Sequence, residues 1–209
     1  MTSTQALQPA ATPSLVDQRV LVVGRGSGIA RAVVSAARAA GATVIAAGRD
    51  QAALEAAYDG DAGVTVEEVD VSDDASITAL GDRIGAIDHI VFTASARARG
   101  LVADLTRESV AVSLGTKVIG PLMLAKYLGP RLRPGGSIVL FSGASAFTAT
   151  PGTLAVAVTN GAADTLTRSL AVELAPTRVN GISPGTIDTG AWDALGAQRK
   201  ADFFAARSN

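Results

Sequence analysis

The chain has 209 residues, of which 48% are hydrophobic, and its formal net charge is −1. This length suits one domain with a substantial core, and the evenly mixed charges exclude the basic surface that nucleic-acid binding requires. There is no cysteine and only one histidine, His89, so disulfides, thiolate chemistry and cysteine zinc sites are excluded and no metal site is expected.

The first residues, 1–15, are polar and contain proline, and we expect them to form a flexible tail before one domain over 16–209. They lack the basic start and apolar centre of a secretory signal. No uninterrupted apolar run reaches the roughly 18 residues of a membrane span. A cytoplasmic location without membrane contact is therefore expected. His89 begins a strand, where a surface or capping role is expected.

Short β-branched runs alternate along the chain with longer segments rich in alanine and leucine. The predicted strands are 19–24, 42–48, 64–71, 88–95, 136–143 and 178–183. The predicted helices are 28–41, 51–58, 73–85, 104–132, 153–175 and 190–206, the fourth bending near Gly120-Pro121 because proline cannot donate a helical hydrogen bond. This alternation predicts an α/β fold, a doubly wound parallel sheet with helices on both faces, in three layers. Ligands of such sheets bind beyond the carboxyl ends of the strands.

The first predicted strand is followed by GRGSGIA, which leads into a helix. Glycines allow a tight turn and let the backbone approach a diphosphate, and the N-terminus of the helix offers free N–H groups. The loop is therefore predicted to bind a nucleotide, although a plain strand-to-helix turn has the same pattern. The residues expected to contact the cofactor are Gly24, Arg25, Gly26, Ser27, Gly28 and Ile29.

The second strand ends at Arg49, where the adenosine ribose of a dinucleotide would lie. Arginine suits the 2′-phosphate of NADP, whereas an acidic residue would suit the free hydroxyl of NAD, so NADP(H) is preferred and NAD(H) is the alternative. A solvated surface arginine is the other interpretation of Arg49, and Asp50 is predicted to cap the next helix. After the third strand, Asp70 would accept from the adenine amino group and Val71 would pack against the ring, with helix capping as the alternative for Asp70.

Six motifs occur in a fixed order: VVGRGSGIARAV, AAGRD, VDVSD, DHIVFTAS, GGSIVLFSG and LTRSLAVELAPTRVNGISPGTIDT. Together they span about 18–193 and resemble the short-chain dehydrogenase/reductase family. The resemblance implies a Rossmann-type sheet, an NAD(P) cofactor, and hydride transfer to or from a carbonyl or alcohol of a small molecule. It also implies cofactor contacts from Thr93, Ala94, Ser95, Pro184, Gly185, Ile187 and Thr189.

The sequence departs from this family at the catalytic positions. The family uses a Tyr as proton donor or acceptor, a Lys one helical turn later, a Ser after the fifth strand, and an Asn on the preceding long helix. In register, Val156 replaces the Tyr, Asn160 the Lys, Gly143 the Ser and Lys117 the Asn. The usual catalytic set is therefore absent.

A replacement set is predicted from the polar groups that remain. Lys117, if it points inward, would have a pKa lowered by burial and would donate a proton or stabilise an oxyanion; a structural lysine is the alternative. Ser142 and Ser145 would bind the substrate oxygen, or act only as turn residues. Asn160 would hydrogen-bond the cofactor ribose, or only pack the helix.

Three functions follow from these observations. The first is an NADP(H)-dependent reductase of a carbonyl or other activated double bond. The alternatives are a non-redox isomerase, dehydratase or cyclase, and a catalytically silent NADP(H)-binding regulatory protein. By resemblance, Trp192 and Phe203-Phe204 lie in the region of a substrate lid, where they would line a pocket or only anchor the tail. The alanine-rich helix 153–175 would pair subunits in a homodimer or homotetramer. The family continues into a further helix and strand, so the last family strand is expected to be absent, either in the natural protein or because the chain is truncated.

Overall fold

The computed structural model describes residues 14–190 and 192–205. The predicted tail over 1–15 falls almost entirely outside them. Its last residue, Leu15, belongs to the folded domain, because its backbone N–H donates to the Ala40 carbonyl at 2.8 Å and its side chain packs against the core.

Strands and helices alternate as predicted. The strands are β1 Arg19–Val23, β2 Thr43–Gly48, β3 Val64–Glu68, β4 Ile87–Phe92, β5 Leu132–Phe141 and β6 Arg178–Ile182. The helices are α1 Gly28–Ala39, α2 Gln51–Tyr58, α3 Asp74–Ile84, α4 Arg107–Leu114, α5 Gly120–Leu128, α6 Leu154–Glu173 and α7 Ala197–Ala205. The third strand ends earlier than predicted, because Asp70 forms a turn with Ser72.

The strands form one six-stranded parallel sheet in the order β3-β2-β1-β4-β5-β6. The chain reverses its winding direction between β3 and β4, which lie on opposite sides of β1, so a crevice opens beyond the carboxyl ends of β1 and β4. Val23 is level with both Ala47 and Phe92, so the loops after these strands leave the sheet at the same height. The doubly wound, Rossmann-type fold is confirmed.

Alternate residues of the strands supply two hydrophobic clusters, one on each face of the sheet. Leu21 and Val23 point to the face covered by α3 and α5, where Leu80, Leu124 and Leu128 are fully buried. The neighbouring residues of β1 point to the opposite face. There the cluster contains Val20, Val22, Ala30, Val34, Ala37, Ala42, Val44 and Ala46. The three-layer prediction is confirmed.

The long helix over 107–131 is interrupted earlier than predicted. A π-helical turn, Gly115–Ile119, joins α4 to α5, and the Gly120 N–H donates to the carbonyl of Gly115, five residues back. Pro121 lies in the first turn of α5, where a missing N–H costs nothing, so the proline follows the interruption. Lys117 lies in the centre of the π turn, a feature that often occurs at functional sites.

This helical segment, Arg107–Arg131, is 25 residues long and has a stretch of mean hydropathy 1.2, enough by length and composition alone to cross a membrane. A helix of this length and composition is also typical of the helical layers that cover a parallel sheet. Leu124, Ala125 and Leu128 are buried in the core of this domain, and α5 packs against α3. Burial in the core therefore accounts for the apolar side chains of α5, while 33% of the apolar stretch as a whole is buried.

His89 is half-buried and not fully at the surface, as a surface role would have required, and it caps no helix among the described residues. It is partly buried between β1 and β5, with Nδ1 2.8 Å from the Ser137 hydroxyl and Nε2 2.6 Å from the Gln18 side-chain oxygen. Burial lowers the pKa of His89, which keeps the ring neutral and able to donate to one partner and accept from the other.

Candidate active site

The glycine-rich loop lies at the carboxyl end of β1, against the loop that follows β4. The Thr93 hydroxyl donates to the Val23 carbonyl at 3.0 Å, and a Cβ at Gly24 would lie 2.1 Å from that hydroxyl. A Cβ at Gly26 would lie 2.5 Å from the side chain of Ala57. These glycines are therefore required for close packing of the loop as well as for access to its backbone.

The N-terminus of α1 adjoins the segment after β6. Gly28 has a φ of +57°, and a Cβ there would lie 2.9 Å from the Thr189 side chain. Ser27 occupies the N-cap position, but its side chain makes no capping hydrogen bond, so the N–H groups of the first turn remain for another acceptor. This glycine cradle with an uncapped helix N-terminus fits the diphosphate of a dinucleotide.

The predicted adenosine-binding residues lie beyond β2 and β3. Arg49 is exposed. Hydrogen bonds from Ser72, and to a smaller extent the charge of Arg49, lower the pKa of Asp70. Asp50 caps α2 by accepting from the Ala53 N–H at 2.9 Å, as predicted. Val71 lies in the core and packs against Gly120, so its side chain belongs to the fold more than to a ring-binding surface.

The four residues predicted as a replacement catalytic set lie together. The Lys117 ammonium donates to the Ser142 carbonyl at 2.9 Å and to Oδ1 of Asn160. The Asn160 amide nitrogen donates in turn to the Ser145 hydroxyl at 2.7 Å. These contacts connect the π turn, the end of β5 and α6 in one hydrogen-bond network.

Replacement of the family serine by Gly143 makes room for this network. A Cβ at this position would lie 2.7 Å from Nδ2 of Asn160, too close for the amide to remain where it is. Ser142 contributes its carbonyl, while its hydroxyl is buried and accepts from the Gly143 N–H. The predicted role of the Ser142 hydroxyl in binding a substrate oxygen is therefore not supported by its placement, and the partly exposed Ser145 is the better candidate.

Burial lowers the pKa of Lys117 from its ordinary value to about 8. The positive charge of Arg97 adds to this effect, and the carboxylate of Asp164 opposes it. Asp164 follows Asn160 by one turn of α6, and its Oδ2 is buried without a hydrogen-bond partner among the described residues. Lys117 is thus mostly protonated at neutral pH but gives up its proton far more readily than an ordinary lysine.

No phenol replaces the missing tyrosine. Val156 occupies that position and is buried in α6. The Tyr127 hydroxyl donates to Asp74 on α3, at 2.8 Å, and Tyr58 lies on α2 with its hydroxyl buried. Lys117, with its pKa lowered to about 8, is the titratable group that lies in this network.

The Pro-Gly turn after β6 is connected to the same network. The Ala144 N–H donates to the Pro184 carbonyl at 2.9 Å, and the Ser142 N–H donates to the Ile182 carbonyl at 2.8 Å. Further along, Nε1 of Trp192 donates to the Ile187 carbonyl at 3.0 Å. Pro184, Gly185, Ile187 and Thr189 therefore lie on the segment that borders both the glycine-rich loop and the Lys117 network.

Sequence reasoning missed two arginines in the loop after β4. Arg97 acts on Lys117 through its charge, and the Arg99 guanidinium lies 5.9 Å from the centre of the Trp192 ring. The signal was present as ARAR directly after FTAS, the segment in which Thr93, Ala94 and Ser95 were assigned to the cofactor. Among the residues that the structure describes, no group of three or more His, Cys, Asp or Glu side chains is placed to hold a metal ion.

Comparison with known proteins identifies the family. A family model described as enoyl-(acyl carrier protein) reductase matches residues 23–209. The L-xylulose reductase of Bos taurus is 36% identical over 182 residues, which cover 84% of this chain and 74% of that protein. The carbonyl reductase (NADPH) 2 of Sus scrofa is 34% identical over 178 residues, with 82% and 72% covered.

A crystal structure of a small-chain dehydrogenase in complex with NADPH has the same fold. It matches with a TM-score of 0.73 and 29% sequence identity, over 89% of this chain and 78% of the other. The family model covers the strand-end loops described above and every strand from β2 onward. The chain is a member of the short-chain dehydrogenase/reductase family of oxidoreductases.

Proposed function

We propose that this protein is an NADP(H)-dependent reductase of a carbonyl or another activated double bond, with Lys117 as the proton donor. One observation carries the proposal. A lysine ammonium has three N–H donors, and two of them bind the Ser142 carbonyl and the Asn160 side-chain oxygen. The third remains for a substrate oxygen.

The residues that would hold the cofactor are those of the cradle at the ends of β1, β2 and β6. The glycine-rich loop would receive the diphosphate, and Arg49 with Arg25 would bind the 2′-phosphate of NADP by charge-assisted hydrogen bonds. Asn160, already bound to Lys117, would lie next to the ribose. When bound, the nicotinamide supplies the hydride. Two proteins similar to this chain carry NADPH in their descriptions.

The role of the protein side chains in such a reduction follows from their geometry. Ser145, held by the Asn160 amide, orients the substrate carbonyl with its hydroxyl. Lys117 gives its proton to the carbonyl oxygen as that oxygen gains electrons, and becomes a neutral amine. The nearby charge of Arg97 and the burial of the site both favour that neutral form. Solvent then returns a proton to Lys117.

The experiment is substitution of Lys117 by methionine, which keeps the length and apolar stem of the side chain and removes the amine. Loss of a positioned proton donor lowers kcat by about 10²- to 10⁴-fold. Lys126→Met is the matched control, because Lys126 lies on α5 of the same long helix and its amine is exposed, bound to the Tyr127 hydroxyl at 3.0 Å. NADPH oxidation is followed by nicotinamide absorbance over a panel of ketones, aldehydes and enones. Equal turnover by Lys117→Met and Lys126→Met would remove Lys117 from the mechanism.

Val156 favours a second candidate, a catalytically silent NADP(H)-binding protein, because an apolar side chain stands where the family has its acid. This candidate predicts NADPH binding by calorimetry with no turnover over the same panel. Substrate conversion without any change in nicotinamide absorbance would instead indicate a non-redox enzyme on this scaffold.

We also propose that the chain forms a homodimer or homotetramer through α4, α6 and the π turn between them. These elements are neighbours, and several of their large apolar side chains are exposed. The exposed residues are Val112, Ile119, Leu154, Val158 and Val172. Exposed apolar side chains on adjacent helices are typical of a subunit interface.

A further inference from the structure

The loop after β4 carries two arginines that the proposed reaction does not use. Arg97 and Arg99 are exposed, while Ala98 between them is only 4% exposed, so the loop turns its alanine inward and both guanidinium groups outward. Within residues 14–190 and 192–205, neither arginine forms a hydrogen bond or an ion pair with the protein. Their charged groups are therefore available to a ligand.

Both arginines border the catalytic network. Arg97 is close enough to Lys117 for its charge to lower the pKa of that amine. The Arg99 guanidinium lies over Trp192, on the segment that follows the Pro-Gly turn. The loop is held in place by the Gly100 N–H, which donates to the Gly152 carbonyl at 3.1 Å just before α6. Arg97 borders a cavity at the start of α4, Arg99 lies against Trp192, and the two guanidinium groups are close enough for Arg99 to lower the pKa of Arg97.

The protein supplies few negative charges near these arginines. Asp164 acts on Lys117, and Glu108 borders a cavity of about 300 Å³ together with Arg97, without forming an ion pair with it. Asp188 and Asp193 are both paired with Lys200. A further carboxylate, Asp104, lies beside Gly100 and accepts from the Leu101 N–H at 3.2 Å. Within the part of the chain that the structure describes, none of these carboxylates is paired with Arg97 or Arg99, and like charges held together favour an anion that binds between them.

We propose that the substrate carries an oxyanion group, a carboxylate or a phosphate, which Arg97 and Arg99 hold while its carbonyl oxygen meets the free N–H of Lys117. Guanidinium groups bind such planar or tetrahedral oxyanions by paired hydrogen bonds. Binding also relieves the repulsion between the two arginines. The inference rests on the proposed reductase function for the identity of the reacting carbonyl, but the anion site itself does not require turnover.

The test compares acetoacetate with its methyl ester, which has the same ketone and no charge. Trp192 is the only tryptophan of the chain, so its fluorescence reports binding beside Arg99 whether or not a reaction occurs. With NADP⁺ bound, acetoacetate is expected to bind roughly ten- to hundredfold more tightly than the ester, as expected for hydrogen bonds to a charged group. Glyceraldehyde 3-phosphate is compared with glyceraldehyde in the same way to test for a phosphate. The pair with the larger ratio of affinities, charged over neutral, shows whether the site prefers a carboxylate or a phosphate.

Arg97→Gln and Arg99→Gln are each expected to remove most of this preference while changing affinity for the neutral partner little. Arg133→Gln is the charge-matched control, because Arg133 pairs with Asp88 at the opposite end of the sheet. Circular dichroism checks that each variant is folded.

Equal binding of acid and ester, or an Arg97→Gln, Arg99→Gln double variant that keeps the preference, would overturn the proposal. Reduction of both ketones at equal rates would overturn it and leave the reductase function standing. Selective binding of acetoacetate without NADPH oxidation would instead support the anion site and count against the reductase.

Discussion

Lys117 illustrates how the surroundings of a single residue decide its chemistry. Its identity as a lysine predicts only a cation, usually at the surface. The Ser142 carbonyl and Asn160 give this cation two acceptors, and burial lowers its pKa to about 8. A lysine, which ordinarily titrates well above neutral pH, thereby has a pKa close to it.

The pH dependence of the reduction tests this role. A proton donor acts only in its protonated form, so kcat/KM is expected to stay level below pH 8. Above about pH 8 it is expected to fall, roughly tenfold per pH unit. The measurement is kcat/KM for NADPH-dependent reduction from pH 6 to about 10, with Lys117→Met as a flat reference. A rate that rises through this range would show that the neutral amine, and not the ammonium, is the active form.

The proposed preference for NADP rests on Arg49, and it is tested at the same scale. Replacing it with aspartate puts an acceptor for the ribose hydroxyl where the 2′-phosphate would have met a cation. Arg49→Asp is expected to weaken NADPH binding about 10- to 100-fold, the value of a charge-assisted contact, and to leave NADH binding unchanged or tighter. Calorimetric titration with each cofactor measures this, and Arg38→Gln, on α1 and paired with Asp61, is the control. An unchanged NADPH affinity would assign Arg49 to the solvated surface.

At the scale of elements, the site depends on backbone features more than on side chains. The π turn Gly115–Ile119 places Lys117 against β5 and α6, and Gly143 leaves room for the Asn160 amide. On the cofactor side, Gly28 begins α1 with a positive φ and touches Thr189. Each of these positions connects one secondary-structure element to the functional loop of another.

Substitution of Gly28 by alanine, compared with a matched glycine elsewhere, distinguishes the effect of the Thr189 contact from the backbone strain of a positive φ. The left-handed conformation costs a non-glycine residue about 1–2 kcal/mol, and the methyl group would also displace Thr189. Gly60→Ala is the matched control, since Gly60 has a φ of +79° and no atom within 4 Å of the added Cβ. Both variants are expected to lose stability in urea unfolding, Gly28→Ala more, and only Gly28→Ala is expected to bind NADPH more weakly. Equal losses in both properties would show that the Thr189 contact is unimportant.

At the scale of the whole molecule, the doubly wound sheet brings the loops of β1, β4, β5 and β6 to one edge. The cofactor cradle, the Lys117 network and the two arginines after β4 all lie along that edge. The apolar surface of α4 and α6 lies on the flanking layer. In the proposed oligomer, the candidate site would therefore lie within one subunit while α4 and α6 contact another copy.

The proposed oligomer is tested at Val158, which is 56% exposed on α6. A glutamate there would bury an unpaired charge in an apolar interface, which costs several kcal/mol. Val158→Glu is expected to convert the protein to a monomer in light scattering coupled to gel filtration. Gln51→Glu, on exposed α2, is the control. A wild-type monomer at all concentrations would contradict the proposal.

Much of this architecture could be predicted from local sequence. The alternation of strands and helices and the role of Asp50 follow from short-range patterns, and they are confirmed. The bend predicted near Pro121 lies after the actual interruption of the helix, because nothing in the local sequence distinguishes a π turn from an α-helical one. His89 was misplaced because its partners, Ser137 and Gln18, are distant in sequence.

The sequence by itself determined the fold, the glycine-rich loop and the absence of the family's tyrosine and lysine, because periodicity and register are local properties. Only the tertiary structure decided that Lys117 meets Asn160, 43 residues away, and that the Ser142 hydroxyl is buried while Ser145 is bound to the network. Only it showed that the charge of Arg99 acts on Arg97, and that of Arg97 on Lys117. Such contacts depend on how helices and loops pack across the sheet, and that packing is set by the whole core and not by any one segment.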